Sequence, residues 1–457
     1  MEEIQEKIQF QLTDELIEQV EVLVEDKNDK KLKALLNEFH HADIADILDE
    51  LDPEDSVYVI KLLDSETTSE ILIELDEDIR EKVLKNLSNK EIAEEIEELD
   101  TDDAADMIAE LPEDRQAEVI SQIEDVDHRE EIQELLAYPE DTAGGLMAKE
   151  LVKVYETWTV AGCLRRIRGQ AKDVTRVHSV YVVNKKEQLI GRLSLKDLIT
   201  SRSDQKIADI AKENVDWVHV NDNVEDVAKI MAKYDLEAIP VVNDNQVLLG
   251  RITIDDIVDV IREEADKDYQ LAAGISRGVE ADDSVFKLTI ARLPWLLIGM
   301  FGGLGAATII EQFNVNMGDF IILLSFVPLI QATAGNVGVQ SSAIVVQGIA
   351  NGTIDGKIFK RLFKEFLIGL VNGIAIALIA ILITHFIFGT TYMVSFTISI
   401  ALVTVIVMAA IIGTFIPIFL DKRGIDPAVA TGPFITTSND VFGILTYFLI
   451  AKLILGI

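Results

Sequence analysis

Apolar and polar positions change rhythm twice along the chain. Up to about residue 135, apolar side chains recur in short bursts at three- and four-residue spacing, as at Ile44, Ile47, Leu48 and Leu51. That is the period of an amphipathic helix. Acidic turns separate the bursts: Leu51-Asp52-Pro53-Glu54-Asp55, Leu87-Ser88-Asn89-Lys90-Glu91, Leu99-Asp100-Thr101-Asp102-Asp103 and Leu111-Pro112-Glu113-Asp114. In each, a Ser, Thr or Asp stands where the next helix needs a cap. Glu91 follows Ser88 at the capping-box spacing, and Pro53 suits a first helical position. The pattern predicts an all-α array of stacked helix pairs over 1–135, a small solenoid.

Residues 136–262 switch to β-branched runs, and the switch happens twice. Ser179-Val180-Tyr181-Val182-Val183-Asn184 precedes Gly191-Arg192-Leu193-Ser194-Leu195-Lys196-Asp197-Leu198. Ala238-Ile239-Pro240-Val241-Val242-Asn243 precedes Gly250-Arg251-Ile252-Thr253-Ile254-Asp255-Asp256-Ile257. Each copy reads as strand, polar turn, then a strand entering a helix. The pair resembles tandem cystathionine-β-synthase-type (CBS) domains, the first over 136–200 and the second over 201–262. Two copies 59 residues apart carry far more weight than one. In such domains the hydroxyl and carboxylate, here Ser194 with Asp197 and Thr253 with Asp256, bind an adenine nucleotide such as ATP. Capping of the following helices is the alternative reading, and both stay open.

The last third is dominated by long apolar runs near Leu293–Ile310, Phe320–Ala350, Phe366–Phe388, Val394–Leu420 and Pro427–Ile457. Each matches the ~20 helical residues that span a hydrocarbon core. The links after the second and fourth runs carry Lys357, Lys360, Arg361 and Lys364, and Lys422 and Arg423. The other two links have no Lys or Arg, and Lys287 and Arg292 precede the first run. The positive-inside rule then puts the N-terminal region in the cytoplasm and the C-terminus outside a multi-pass cell membrane protein. The acidic start, Met1-Glu2-Glu3-Ile4, reads as lacking a cleavable signal.

Charge sharpens the division. The formal net charge is −38, yet only seven acidic and eight basic residues follow Lys287, so the excess is concentrated before it. So negative a region repels nucleic acid and draws cations. Cys163, the only cysteine, excludes an intrachain disulfide or a cysteine-rich metal site. Asp255–Ala273 is a helical stretch that reads as leading straight into the first span. Its Asp255/Asp259 and Glu264/Asp268 pairs repel at i,i+4 unless a cation lies between them. Asp440 sits deep in the fifth run, where a carboxylate is functional by default. Thr436, Thr437, Ser438 and Asn439 surround it in sequence, and Asn336 and Gln340 of the second run are further candidates for an ion that retains its waters. For Asn336 and Gln340, hydrogen bonding between helices is an equal alternative. Pro417 and Pro433 read as kinks, and Asp426-Pro427 as a cap followed by a first helical residue.

This order of parts resembles the MgtE family of Mg²⁺ channels and transporters over essentially the whole chain. The resemblance is sharpest at Tyr138-Pro139-Glu140-Asp141-Thr142-Ala143-Gly144-Gly145-Leu146-Met147, at Gly335-Asn336-Val337-Gly338-Val339-Gln340, at Gly424-Ile425-Asp426-Pro427-Ala428 and at Thr437-Ser438-Asn439-Asp440-Val441-Phe442-Gly443. It implies a homodimer with a pore between subunits, a connecting plug helix over 255–282 and a five-helix transmembrane domain over 283–457. It implies Mg²⁺ as both cargo and regulator, with the pore aspartate at Asp440. The implied regulatory carboxylates are Asp102, Asp106, Glu225, Asp235, Asp256, Asp259, Glu264 and Asp268. Lys267 departs from the pattern, standing where an acid is expected.

Other classes fit less well. A Walker-type pump needs Gly-x-x-x-x-Gly-Lys-[Ser/Thr], and an intramembrane metalloprotease needs His-Glu-x-x-His; neither occurs. The expectation is a transporter and not an enzyme. A broader carrier of Co²⁺ or Mn²⁺, or a nucleotide-sensing CBS membrane regulator, is the alternative.

Overall fold

The computed structural model describes residues 10–456 apart from 172, 173, 175, 277, 280–282, 315–317, 352, 355–357 and 431. Met1-Glu2-Glu3-Ile4, Lys357 and the end of the 255–282 stretch therefore lie outside the described residues. The chain divides into two compact units, Met1–Ile261 and Arg262–Ile457.

The described part of the first unit opens with ten short helices, α1 (Asp14–Glu25) to α10 (Val126–Leu135). Their apolar stripes meet in one core, where Leu32, Leu36, Ile44, Ile47 and Leu48 are buried. Ser88 and Glu91 form the expected capping box, with Glu91 N–H donating to Ser88 Oγ at 3.2 Å and Ser88 N–H to Glu91 Oε2 at 2.7 Å. Pro53 opens its helix as expected. Three turns behave differently. Asp52 and Asp100 stand at N-caps without capping, and Pro112 occupies the N-cap of its helix and offers no side-chain cap.

Two three-stranded sheets follow. In the first, β1 (Val152–Tyr155) runs parallel to β2 (Val180–Val183), which pairs antiparallel with β3 (Leu189–Leu193), Val180 opposite Leu193. The second repeats this with β4 (Val218–His219), β5 (Ala238–Val242) and β6 (Leu248–Thr253), Ala238 opposite Thr253. The β2–β3 and β5–β6 turns lie edge to edge, with Leu189 N–H donating to Gln246 O at 2.9 Å and Leu248 N–H to Glu187 O at 3.0 Å. The Tyr138–Met147 motif docks on the second sheet through Gly144 N–H to Val220 O, 2.8 Å, and Ala148 N–H to Arg251 O, 2.8 Å. A Cβ on Gly144 would lie 2.7 Å from both Tyr138 and Val220 carbons, so the glycine is needed for packing. Ala143 and Met147 extend the helical core to Val218, Ile239 and Ile257, making the array and the second sheet one hydrophobic body.

A 20-residue helix, α11 (Ile254–Ala273), is the connecting helix. It does not run on into the first span. Gly274 adopts φ +83°, and the chain turns back so that Gln270 bonds Val279 in both directions, at 2.8 and 3.1 Å. The helical pattern ends where a left-handed residue satisfies the last carbonyls.

Among the described residues five helices are long and apolar enough to cross a membrane. They are α12 (Val285–Asn314), α13 (Val327–Ala350) with a 3₁₀ lead-in (Gly318–Phe326), α14 (Ile358–Phe386), α15 (Tyr392–Asp421) and α16 (Gly432–Leu455). Pro433 lies in the first turn of α16, where proline is tolerated, and so does not kink it; Pro417 lies within α15. Asp426 Oδ1 accepts from Ala428 N–H at 2.8 Å, capping the 3₁₀ turn Pro427–Ala430. The core of this unit is built where α13, α15 and α16 meet, around Ile330, Leu402, Val405 and Tyr447.

Candidate ion pathway and carboxylate cluster

One face of α13 and one face of α16 enclose a cavity of about 440 Å³. On α13, Gln331, Gly335, Asn336 and Gln340 recur at helical spacing. On α16, Thr436 and Asp440 are four residues apart and reach the same space. Gly335 keeps it open, since a Cβ there would sit 3.2 Å from Thr436 and 3.9 Å from Asp440 Oδ1. Asn336 and Gln340 are exposed on this chain, so the cavity opens on an outer face of the helical unit. Of the five expected pore residues, Asp440, Asn336, Gln340 and Thr436 are thus brought together.

Asn439 is placed elsewhere. It is fully buried against Gly338 of α13, and neither of its amide atoms has a hydrogen-bond partner among the described residues. Gly338 also meets Gly413 of α15, so three helices converge there with little more than backbone between them. Gln331 lines the cavity but was not singled out from sequence; its signal was an intramembrane amide one turn before Gly335 on the same face.

In the first unit, a helix of the array, Thr101–Ala109, points its N-terminus at the CBS region. Thr101 N–H and Oγ1 donate to Glu150 at 3.1 and 2.9 Å, and Lys149 N–H donates to Thr101 Oγ1 at 2.9 Å. This brings Asp100, Asp102, Asp103 and Asp106 within electrostatic reach of Asp256. Burial, then Asp103 and Asp256, raises the Asp102 carboxyl well above the usual range. Burial followed by Asp256 pushes Asp103 up to about 8. Asp100 is raised to about 6 by burial and Glu150, with Arg251 opposing. Asp106 faces solvent yet is hemmed in by protein; lost hydration, Glu140 and Glu110 raise it to about 7 against Arg80. Burial raises Asp256 too, against hydrogen bonds from Thr253. Among the described residues no three His, Cys, Asp or Glu side chains are arranged to hold a metal ion.

The remaining carboxylates are dispersed. Glu225 pairs with Lys229 at 3.4 Å, and Asp235 ends its helix in the left-handed conformation with φ 50°. Asp259 is exposed on α11, Asp268 is partly buried, and Glu264 pairs with Lys267 at 2.9 Å. In the CBS pair, Asp197 N–H donates to Ser194 Oγ at 3.1 Å and Ser194 Oγ to Asp197 at 2.7 Å; Thr253 N–H and Oγ1 donate to Asp256 at 3.0 and 2.8 Å. The first pair is a capping box on the helix Leu195–Thr200, and in the second the Asp256 carboxylate accepts from both groups of Thr253. A cavity of about 150 Å³ near Trp217 and Gln246 is lined by none of the four.

Comparison with known proteins gives matches along most of the chain. A family model described as a divalent cation transporter, MgtE, matches residues 327–450, one for the MgtE intracellular N domain matches 39–141, and the CBS domain model matches 143–204 and 207–263. The magnesium transporter MgtE of Enterococcus faecalis is 35% identical over 323 residues, 71% of each chain. That of Bacillus subtilis is 31% identical over 320 residues, 70% of this chain and 71% of its own. Among solved structures, the cytosolic domain of the Mg²⁺ channel MgtE in complex with ATP is 34% identical, with a TM-score of 0.51, covering 53% of this chain and 99% of that one.

Proposed function

The chain belongs to the MgtE family of divalent cation transporters, and we propose that it is a Mg²⁺ channel of the cell membrane, closed by Mg²⁺ binding on the cytoplasmic side. The observation that carries this reading is the cavity in which Asp440 meets Thr436, Asn336 and Gln340. One carboxylate ringed by amides and a hydroxyl suits a hard, octahedral ion that keeps its waters. The cavity's volume of about 440 Å³ leaves room for that water shell. Because it opens on an outer face, a second copy of the chain completes the path, with two Asp440 carboxylates facing the ion. Asn439 sets the spacing between α13 and α16 behind it.

Gating follows from the carboxylates. With Mg²⁺ scarce inside the cell, the crowded carboxyls of Asp102, Asp103, Asp106 and Asp256 hold protons in place of a cation, while Asp259, Glu264 and Asp268 repel along the plug helix. Two unit charges ~5 Å apart at an effective dielectric of ~20 interact by about 3 kcal/mol, so a few bridged pairs bias a two-state gate. Mg²⁺ bridging them favours closure. ATP at the CBS pair is a second regulator, supported by the ATP-bound relative. Lys360, Arg361, Lys364, Lys422 and Arg423 cluster at the start of α14 and the end of α15, which supports a cytoplasmic N-terminus and an external C-terminus.

Flux into vesicles loaded with a Mg²⁺-sensitive dye tests the reading. Wild-type protein admits Mg²⁺, and Asp440→Asn cuts the rate by about tenfold or more. Equal flux in both, or none in either, removes it. Competition by Co²⁺ and Mn²⁺ in the same vesicles ranks the cargo.

A further inference from the structure

The ends of α13, α14 and α15 that lie on one membrane face enclose a second cavity, of about 410 Å³, unrelated to the Asp440 space. Among the described residues its charged lining is lopsided: Lys360, Arg361, Lys364 and Lys422 against the carboxylate of Asp421. Between them the wall is aliphatic, including Ile358 and Ile418. Among the described residues Lys360, Lys364 and Lys422 make no ion pair.

Arg361 is held in place. Its guanidinium contacts Glu365 one turn deeper at 3.2 Å, and Glu365 is buried and accepts from Ser341 Oγ at 3.4 Å. That leaves Arg361 Nε buried without an acceptor among the described residues. A fixed guanidinium with a spare donor, in one cavity with three ammonium groups, is an arrangement that recognises a phosphate.

The surroundings choose the source of that phosphate. The site lies at the ends of membrane-crossing helices, and Phe359 and Phe363, interleaved with the lysines on α14, are 84% and 56% exposed. Apolar side chains so exposed beside a basic recess face acyl chains. We propose that this recess binds the phosphate headgroup of an anionic phospholipid from the leaflet on the α14 N-terminal side. Its tails lie along the Phe359–Phe363 face, and the lipid ties together three helix ends, two of them walls of the α13–α15–α16 core. Basic recesses between membrane helices are the usual recognition sites for such headgroups.

The test uses the full chain in phosphatidylcholine nanodiscs doped with spin-labelled phosphatidylglycerol or, separately, spin-labelled phosphatidylcholine. The immobilised fraction is read by electron paramagnetic resonance. Wild-type protein is expected to prefer the anionic label by about tenfold. The triple variant K360Q/K364Q/K422Q should lose that preference, K360R/K364R/K422R should keep it, and Lys452→Gln, at the far end of α16, should leave it unchanged. No preference in wild type, an undiminished one in the glutamine variant, or an equal loss in the Lys452 variant overturns the proposal. Should the glutamine variant misfold, release of the label by excess inorganic phosphate gives an independent reading. Release means that a free anion occupies the site and overturns the lipid assignment; retention supports it.

Discussion

Gly338 and Asn439 approach so closely that a Cβ on the glycine would occupy the space of the asparagine's amide. This contact joins α13 to α16 directly behind the Asp440 cavity. Gly338→Val therefore separates the two helices and disturbs the cavity walls. Overpacking of this kind costs roughly 1–3 kcal/mol. The expected outcome is a lower melting temperature in detergent together with loss of Mg²⁺ flux. A variant that melts and conducts like wild type would show that the contact is dispensable.

The buried aspartates make the first unit sensitive to pH. Their carboxyls are held above the ordinary value near 4, at about 6 for Asp100 and about 8 for Asp103. Between pH 4 and 8 the folded chain thus keeps protons that the unfolded chain has released. Stability of this unit must fall as pH rises through that window. Mg²⁺ binds the deprotonated carboxylates, so it should raise the melting temperature by several degrees at pH 8 and hardly at all at pH 5. Circular dichroism melts of the full chain, with and without Mg²⁺, check this. An equal Mg²⁺ effect at both pH values would detach the cluster from cation binding.

Lys267 meets Glu264 at 2.9 Å, and on the proposed gating it would compete with Mg²⁺ for that carboxylate. An exposed pair of this kind is worth about 0–1 kcal/mol. Lys267→Gln should accordingly lower the internal Mg²⁺ concentration that closes the channel by about two- to fivefold. Patch-clamp recording with Mg²⁺ varied on the internal face measures it. A shift in the opposite direction would mean that Lys267 assists closure.

Ser194 and Asp197 cap the helix Leu195–Thr200 in both directions. Ser194→Ala should cost about 1 kcal/mol, or roughly 2–4 °C in the melt of this unit. If ATP also binds there, calorimetric titration will show weaker binding in the same variant. Unchanged stability would show that the box is ornamental to the fold.

Much of the architecture was legible because it depends on period and length. Five apolar runs gave five spanning helices, and two matched strand–turn–strand copies gave two sheets of the same topology. The Ser88–Glu91 spacing gave its box because capping is local. What was hidden depends on contacts between distant segments. The acidic helical rhythm of 255–273 carries no sign that Gly274 will turn left-handed and send the chain back on itself. Asn439 and Asp440 are neighbours in sequence, yet one turns into the helix junction and the other into the cavity. Only the packing of α13 against α16 decides between them. Gln331 looked like any membrane amide until Gly335 and Asp440 were placed beside it.

Gly432, at φ +42°, begins α16 hard against the carbonyl of Ala272, while Gly274 lies against the ring of Pro433. The final turn of the connecting helix therefore meets the first turn of the helix bearing Asp440 with little more than main chain and a proline ring between them. A larger side chain at Gly274 or at Gly432 would wedge those two turns apart.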